Sequence, residues 1–260
     1  GIAYISTGKQ DYTFYNQITQ ELSDKKNEVN SNGTSPLNKE EIDQTIDFIL
    51  NNDRSSTIKQ ITDLLKNGKS VISIADTITL AAANLVFKTH VSDWIVPVHS
   101  FNYCNAVNYW LRNFENKDKH IAVYLEAMFV NQVSSSRKKV SYENVEKASD
   151  VPKQELVKRI SEEIEGSKVE ETVSLTNSYL DLNNSYDELI SSLVWATSKN
   201  TQTTSAIHDL KYCRSSIEEY ENSTILQKKE ILLSLAKFLA GSKKKRGCYN
   251  LYKEYFPDIR

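Results

Sequence analysis

Two histidines with a tyrosine four residues further on are the residues best suited to carry chemistry in this chain. His99 and His208 each begin the pattern H-x-x-x-Y-C, and the second copy follows the first by 109 residues. On a helix each histidine would share a face with its tyrosine, Tyr103 or Tyr212. Two such helices packed about a pseudo-two-fold axis would present two imidazoles and two phenols to one cavity.

A pair of imidazoles supports two kinds of chemistry. Neutral imidazole binds iron, zinc and copper, and a ring that titrates near neutral pH can act as a general acid or base. The catalytic candidates are therefore His99, His208, Tyr103 and Tyr212, and the candidate metal ligands are His90, His99, His120 and His208. Iron or another transition metal is the expected cofactor. The alternative is structural, with each ring bonded to a facing helix.

The other two histidines have no counterpart at the 109-residue offset. His90 follows a long apolar segment, where a cation favours a helix C-terminus, and Asp93 is close enough in sequence to orient it. His120 begins a helical segment that also contains Glu126, a carboxylate expected to be buried and to need a partner. No Glu-x-x-His pair occurs in the chain, so the signature of di-iron bundles is absent.

The same offset aligns further residues without a gap. Seven of 34 positions in residues 99–132 are identical to their counterparts, including the pairs Cys104 and Cys213, Asn113 and Asn222, Ala127 and Ala236, and Phe129 and Phe238. A repeat of this kind predicts an internal duplication of one helical unit. The competing interpretation is chance similarity between amphipathic helices.

The elements that would position these residues are helical. Apolar residues recur at spacings of three and four from residue 39 onward, as on amphipathic helices. Residues 70–89 are apolar nearly all round, which predicts a helix in the centre of a bundle, and 185–197 is its predicted counterpart. Helices are also expected over 12–27, 97–113, 119–134, 206–220 and 225–239, with Ser55 and Ser56 as a cap and Pro97 in a first turn.

We therefore predict an all-α helical bundle made of two related halves. An irregular, partly helical segment over 1–38 precedes a single domain over 39–260. Its first half covers about 39–134, a polar linker about 135–152, and its second half about 153–260. The basic run 243–246 is expected to be a solvated loop, followed by a short aromatic tail.

Composition limits the classes of function. The 260 residues include 39% hydrophobic and 25% charged residues with only 7 Gly and 4 Pro, as in helical globular proteins. The net charge of −2 provides no general field for nucleic acid or an anionic membrane, so neither partner is expected. Three cysteines without a C-x-x-C pair favour a reducing compartment. With no long apolar run and no signal peptide, we expect a cytoplasmic or otherwise intracellular protein.

Familiar catalytic motifs are missing from the sequence. It contains no G-x-G-x-x-G or Walker A cradle, no G-x-S-x-G elbow and no H-E-x-x-H or paired-cysteine zinc site.

One family resemblance rests on three segments. They are F-x-x-H-x-x-D-W at 87–94, V-H-S-F-N-Y-C-N-A-V at 98–107 and H-D-L-K at 208–211. Together they resemble the helical domain that accompanies Rieske-type iron–sulfur domains in some bacterial oxidoreductase-like proteins, and more distantly the questin-oxidase-like proteins. The family pattern has alanine where this chain has Cys104. The chain also lacks the C-x-H and C-x-x-H ligands of a Rieske cluster, so it cannot hold that centre itself.

Two hypotheses follow. The resemblance implies redox chemistry assisted by a partner domain or protein, so the first is an oxidoreductase-like protein with a His- and Tyr-lined, metal-binding pocket between the halves and a small-molecule substrate. The second is a non-catalytic helical scaffold or protein-interaction module with structural histidines.

Overall fold

A computed structural model of the chain describes residues 20, 29, 32–115, 118–137, 139–142, 148, 151–182, 186–201, 203–242 and 244–256. In this part of the chain the regular structure is helical and no strand is present, apart from two isolated bridges. This confirms the predicted all-α fold class. All of the predicted helix over 12–27 except Gln20 lies outside the described residues.

Eleven α-helices and one 3-10 turn are found among the described residues. They are α1 (Lys39–Asn51), α2 (Arg54–Lys66), α3 (Val71–Lys88), α4 (Ile95–Asn113), α5 (Lys119–Ser135), α6 (Lys153–Glu165), α7 (Val169–Leu180), α8 (Asp187–Ser198), α9 (Thr203–Asn222), the 3-10 turn Leu226–Lys228, α10 (Lys229–Gly241) and α11 (Gly247–Tyr255).

The chain forms two compact units. Unit 1 comprises the described residues up to Leu85 together with His99–Arg137, and unit 2 comprises Val86–Val98 and the described residues after Arg137. Unit 1 thus contains α1, α2, α5 and most of α3 and α4. Unit 2 contains α6–α11, the last residues of α3 and the first residues of α4. The predicted halves, divided at a linker over 135–152, stay a prediction.

In unit 1, helices α1, α2 and α5 pack against one another. Side chains of α5 satisfy carbonyls at the end of α1 that have no partner within that helix. Asn131 donates to the carbonyls of Ile49 and Asn52, both at 2.9 Å, and Ser134 donates to the carbonyl of Leu50 at 2.7 Å. These bonds fix the C-terminal end of α1 against α5.

The ends of α1 and α2 are set by side chains close to them in the sequence. Asn38 caps α1 and forms a capping box with Glu41. The predicted serine cap of α2 is wrong, because Asp53 is the N-cap and its carboxylate accepts the Ser56 backbone N–H at 2.8 Å. Gly68, just after α2, has a left-handed backbone with φ 72°, which suits glycine.

Helix α3 is largely buried, as predicted, but it is not apolar all round. Asp76 and Thr79 are buried in unit 1, where Arg112 binds the Asp76 carboxylate at 2.6 Å and Asn108 donates to the Thr79 hydroxyl at 2.8 Å. By length and composition α3 could cross a membrane, yet 78% of it is buried within the protein. This extent of burial is typical of a helix in a protein core.

Helix α4 begins two residues earlier than Pro97, the predicted first-turn residue. The Val98 backbone N–H donates to the carbonyl of Trp94 at 3.1 Å, so the first helical turn already includes Ile95. Pro97 still lies in that turn, where a missing N–H costs nothing. The predicted end at Asn113 is confirmed.

In unit 2, α10 packs against α6, α7, α8 and α9. Every residue from Ile231 to Ala240 is buried, so α10 is the core helix of this unit. Helix α8 was predicted to be the buried counterpart of α3, and this is wrong in part. Its Leu189 and Leu193 are buried, whereas Val194 and Trp195 are exposed, as on an amphipathic helix.

A lysine in the middle of α10 donates hydrogen bonds to carbonyls at the C-terminal end of α3. The Lys237 ammonium group donates to the carbonyls of Val86, at 3.0 Å, and Thr89, and lies 5.7 Å from the centroid of the Tyr142 ring. One turn further along α10, a side chain at Gly241 would meet Val91 at 2.5 Å. Lysine and glycine on one face of α10 therefore let residues 86–91 pack closely against it.

Burial lowers the pKa of Lys237 to about 8, whereas the pKa of an unfolded lysine is about 10.4. Between these values the unfolded chain binds more protons, so this group makes folding more favourable as the pH rises. We expect the free energy of unfolding of the wild type, measured by urea denaturation from pH 7 to 10.5, to rise relative to that of Lys237→Met.

The exposed lysine of α9, Lys211, provides the control: Lys211→Met should leave the wild-type pH dependence unchanged. If the difference in free energy of unfolding between the wild type and Lys237→Met stays constant from pH 7 to 10.5, Lys237 is not buried as a cation.

Candidate functional site

In unit 2 the His208 side chain belongs to a chain of aromatic rings. Its imidazole meets the Trp94 ring edge-on, with 5.1 Å between the ring centroids. The centroid of Trp94 lies 5.3 Å from that of Phe238, and the centroid of Phe238 lies 5.0 Å from that of Tyr212. The interplanar angles of 76°, 67° and 81° make all three contacts edge-to-face, an arrangement preferred by aromatic quadrupoles. His208 and Tyr212, predicted to share a helical face, are thus joined through rings from two other segments.

The Tyr212 hydroxyl is hydrogen-bonded inside the core of unit 2. It is fully buried and forms a short hydrogen bond with the Ser234 hydroxyl of α10. Burial raises the pKa of Tyr212 well above its ordinary value. The phenol therefore keeps its proton at neutral pH, which suits a structural hydrogen bond better than proton exchange with a substrate.

In unit 1 the equivalent tyrosine has an equivalent ring contact. Tyr103 of α4 meets Phe129 of α5 edge-on at 5.4 Å, with an interplanar angle of 90°. The Tyr212 and Phe238 rings, each 109 residues later, form an angle of 81°. His99 lies half-buried in α4 of this unit. Its pairing with His208 across the halves stays a prediction.

The two remaining histidines occupy separate local settings. His90 is exposed, and its Nδ1 lies 2.7 Å from the Ser92 hydroxyl and accepts the Ser92 backbone N–H at 3.2 Å. Ser92, rather than the expected Asp93, thus orients the ring. His120 is half-buried in the first turn of α5; desolvation lowers its pKa, and the nearby Asp118 carboxylate opposes that shift only partly.

Within the described ranges, no three or more His, Cys, Asp or Glu side chains are grouped so that they could hold a metal ion. Cys104 and Cys213 are both buried free thiols. Glu126 is fully buried in α5, as the sequence predicts.

A second polar cluster in unit 2 surrounds Asp209, the residue after His208. Its buried carboxylate accepts from the Asn200 amide at 2.7 Å and from the Ser242 hydroxyl at 3.4 Å, both at Oδ2. Its Oδ1 has no hydrogen-bond partner among the described residues. Burial raises the pKa of Asp209, and the bonds from Asn200 and Ser242 only partly counter this effect.

Nearby cations are concentrated where residues 244–246 leave α10. Lys244 donates to the Ser167 hydroxyl and to the carbonyl of Ala240, both at 3.0 Å, and burial followed by the Arg246 charge lowers its pKa to about 8. Arg246 binds the Glu165 carboxylate at 3.0 Å. The prediction that this run is a solvated loop is therefore wrong for Lys244 and Arg246, whereas Lys245 is exposed.

Sequence reasoning did not identify Lys237, Asp209 or Ser234 as important. Lys237 had a usable signal, since it is the one charged residue in the run from Ile231 to Ala240. Asp209 and Ser234 had none, because the bonds that define them join residues remote in sequence.

Fold and site define an all-α protein whose candidate rings are held in local aromatic and polar contacts. Comparison of the chain with protein-family models, curated proteins and solved structures finds no match in any of the three. The Rieske-associated resemblance thus stays a prediction carried by the residues quoted for it.

Removing the Tyr212 hydroxyl should be costly because Ser234 would lose its buried partner. We expect Tyr212→Phe to lower the free energy of unfolding by about 1–3 kcal/mol. Tyr109→Phe, at an exposed position of α4, should change it by less than about 0.5 kcal/mol. In a double-mutant cycle, Ser234→Ala should cost less in the Tyr212→Phe background than in the wild type; additive losses would contradict the bond.

The raised pKa of Asp209 predicts a pH dependence of the opposite sign to that of Lys237. An unfolded aspartate has a pKa of about 3.9. Above this pH the folded state holds the proton more tightly, so the contribution of Asp209 is greatest below pH 4 and is lost as the pH rises through the folded pKa.

The free energy of unfolding of Asp209→Asn, measured by urea denaturation, should not show this decline with pH. At pH 7 this variant should be at least as stable as the wild type. Asp209→Ala removes both hydrogen bonds and should cost about 1–3 kcal/mol. Equal losses in the two variants at pH 7 would argue for a stabilising ionised carboxylate.

Proposed function

We propose that this chain is a non-catalytic helical scaffold in which the candidate histidines and tyrosines stabilise the fold. The observation that carries the proposal is the contact of His208 with Trp94 at 5.1 Å, within a chain of rings that continues to Phe238 and Tyr212. An imidazole in edge-on contact with an indole has a packing role that requires no ligand.

The hydrogen bonds of the other candidates support the same interpretation. Tyr212 is bonded to Ser234 in the core of unit 2, and His90 is bonded to Ser92 within its own turn. Tyr103 packs on Phe129. Each of these side chains thus has a structural partner within a few residues or within its own unit.

We also infer that the two units descend from a duplicated five-helix precursor. The order α1–α5 is followed by α6–α10, and the first, second and fifth helices of each set pack together. Tyr103 with Phe129 and Tyr212 with Phe238 repeat one ring contact at the same offset. A recurring packing site explains why the H-x-x-x-Y pattern recurs without any shared active site.

Exposed apolar side chains support a binding role for the scaffold. Trp195 of α8, Leu210 of α9 and Tyr255 of α11 are all exposed in unit 2, and Tyr109 of α4 is exposed in unit 1. Exposed aromatic clusters on folded proteins commonly mark interaction surfaces.

The competing oxidoreductase hypothesis makes a different prediction for the same histidine. If His208 packs structurally, His208→Phe should keep most of the stability, whereas His208→Ala should lose about 1–2 kcal/mol with the ring contact. If His208 is a metal ligand, both variants should lose the metal alike, whatever their stability.

The experiment combines urea denaturation of both variants with elemental analysis and an absorption spectrum of the purified wild type. His99→Ala serves as the matched test in unit 1. A stoichiometric transition metal that disappears in His99→Ala, His208→Ala and His208→Phe would overturn the scaffold proposal.

A further inference from the structure

The last helix of unit 2 lacks the burial that normally stabilises a short helix. Helix α11 has nine residues, and none of them is buried. Isolated helices shorter than about 12–15 residues are marginal in water, and most helices in proteins depend on packing of an apolar face. The described residues therefore give α11 little of the packing that usually stabilises a helix of this length.

The contacts of α11 hold one edge of the helix and leave the rest open. Tyr249 meets Trp195 of α8 edge-on at 5.9 Å. The Lys199 ammonium group lies 5.4 Å from the centroid of the Trp195 ring and 5.5 Å from that of Tyr249. Tyr249 is also covered by Lys253, at 5.5 Å.

The open part of α11 is aromatic and apolar. Tyr255 is 73% exposed, Leu251 55% and Phe256, directly after the helix, 52%. Tyr252 packs on Phe256 at 5.3 Å and is exposed as well. Together with Trp195, these four side chains form what we call the α11 surface.

The segment that carries this surface is rich in positive charge. Residues 244–256 contain four Lys or Arg residues and one acidic residue, whereas the whole chain has a net charge of −2. Arg246 and Lys199 share the single carboxylate of Glu165, and the hydrogen bonds of Lys244 go to uncharged groups. The cations at the base of α11 thus exceed the carboxylates that neutralise them.

We propose that the α11 surface docks on an anionic lipid bilayer, with the aromatic side chains at the headgroup level and the basic residues facing lipid phosphates and carboxylates. Aromatic residues next to lysine and arginine on a short amphipathic helix have the chemistry of interfacial binding. The low net charge led us to expect no membrane partner, but four of the five charged residues in 244–256 are basic.

A single-stranded nucleic acid fits this surface less well. Binding by base stacking requires open ring faces. Here Lys199 and Lys253 lie over the ring of Tyr249, and Tyr252 and Phe256 pack on each other. Exposed apolar edges, in contrast, suit insertion among lipid headgroups.

The proposal goes beyond the scaffold function and does not depend on it.

The test is flotation of the full chain with two sets of vesicles, phosphatidylcholine alone and phosphatidylcholine mixed with phosphatidylserine. We expect the protein to float with the phosphatidylserine vesicles only. Binding should weaken as salt rises from about 0.1 M to 1 M, because the screening length falls from about 10 to 3 Å.

Two sets of variants separate charge from apolar contact. Lys245→Gln and Lys253→Gln should each weaken binding about fivefold. The double variant Tyr255→Ser, Phe256→Ser should weaken it by about tenfold or more. The matched controls are Lys59→Gln and Tyr109→Ser, both at exposed positions in unit 1, and they should bind like the wild type. Circular dichroism verifies that each variant is folded.

Several results would overturn the proposal. They are no flotation with either vesicle, equal flotation with both, and variants of α11 that float no worse than the unit 1 controls. Preferential binding of a poly-uridine oligonucleotide would assign the surface to nucleic acid. Self-association by light scattering that Tyr255→Ser, Phe256→Ser abolishes would assign it to a second copy of the chain. None of these results bears on metal content, so the scaffold proposal is decided separately.

Discussion

The core of unit 2 depends on the hydrogen bonds of the buried Lys237 ammonium group. The last carbonyls of a helix have no partner within that helix. At the C-terminal end of α3, the carbonyls of Val86 and Thr89 accept hydrogen bonds from Lys237. Removing a cation from water is expensive, so the position is tolerable only because those carbonyls and the ring of Tyr142 surround the charge. The aromatic chain from His208 to Tyr212 is built on the same helix, through Phe238 and Ser234.

Local signals in the sequence predict most of the helices of this protein. Spacings of three and four identify α1 and α2, and Gly68 marks the end of α2 because its positive φ suits glycine. Boundaries that depend on competition between neighbouring caps are less predictable. Asp53 replaces the serines after it because a carboxylate one turn earlier can accept both the N–H and the hydroxyl of Ser56. The α11 helix escaped prediction although its tyrosines recur three residues apart, because nine residues are too few for the spacing to identify a helix.

The candidate site shows a different limit. The H-x-x-x-Y pattern correctly places His208 and Tyr212 on one helix, but periodicity does not specify what faces them. Trp94 and Phe238 are far apart in the sequence, and their contact arises only when α10 packs against the segment that follows α3. For the same reason Asp209, whose partners come from the end of α8 and the end of α10, could not be distinguished from an ordinary exposed acidic residue.

Equivalent positions in the two units favour a structural origin for the repeated histidines. The counterpart of Lys237 at the 109-residue offset is Met128, which is fully buried in α5. The tyrosine and phenylalanine that pack edge-on are kept at that offset, while the buried polar group beside them is not. On the proposal of a duplicated scaffold, the two units share this ring contact as a packing arrangement, and the histidines accompany it.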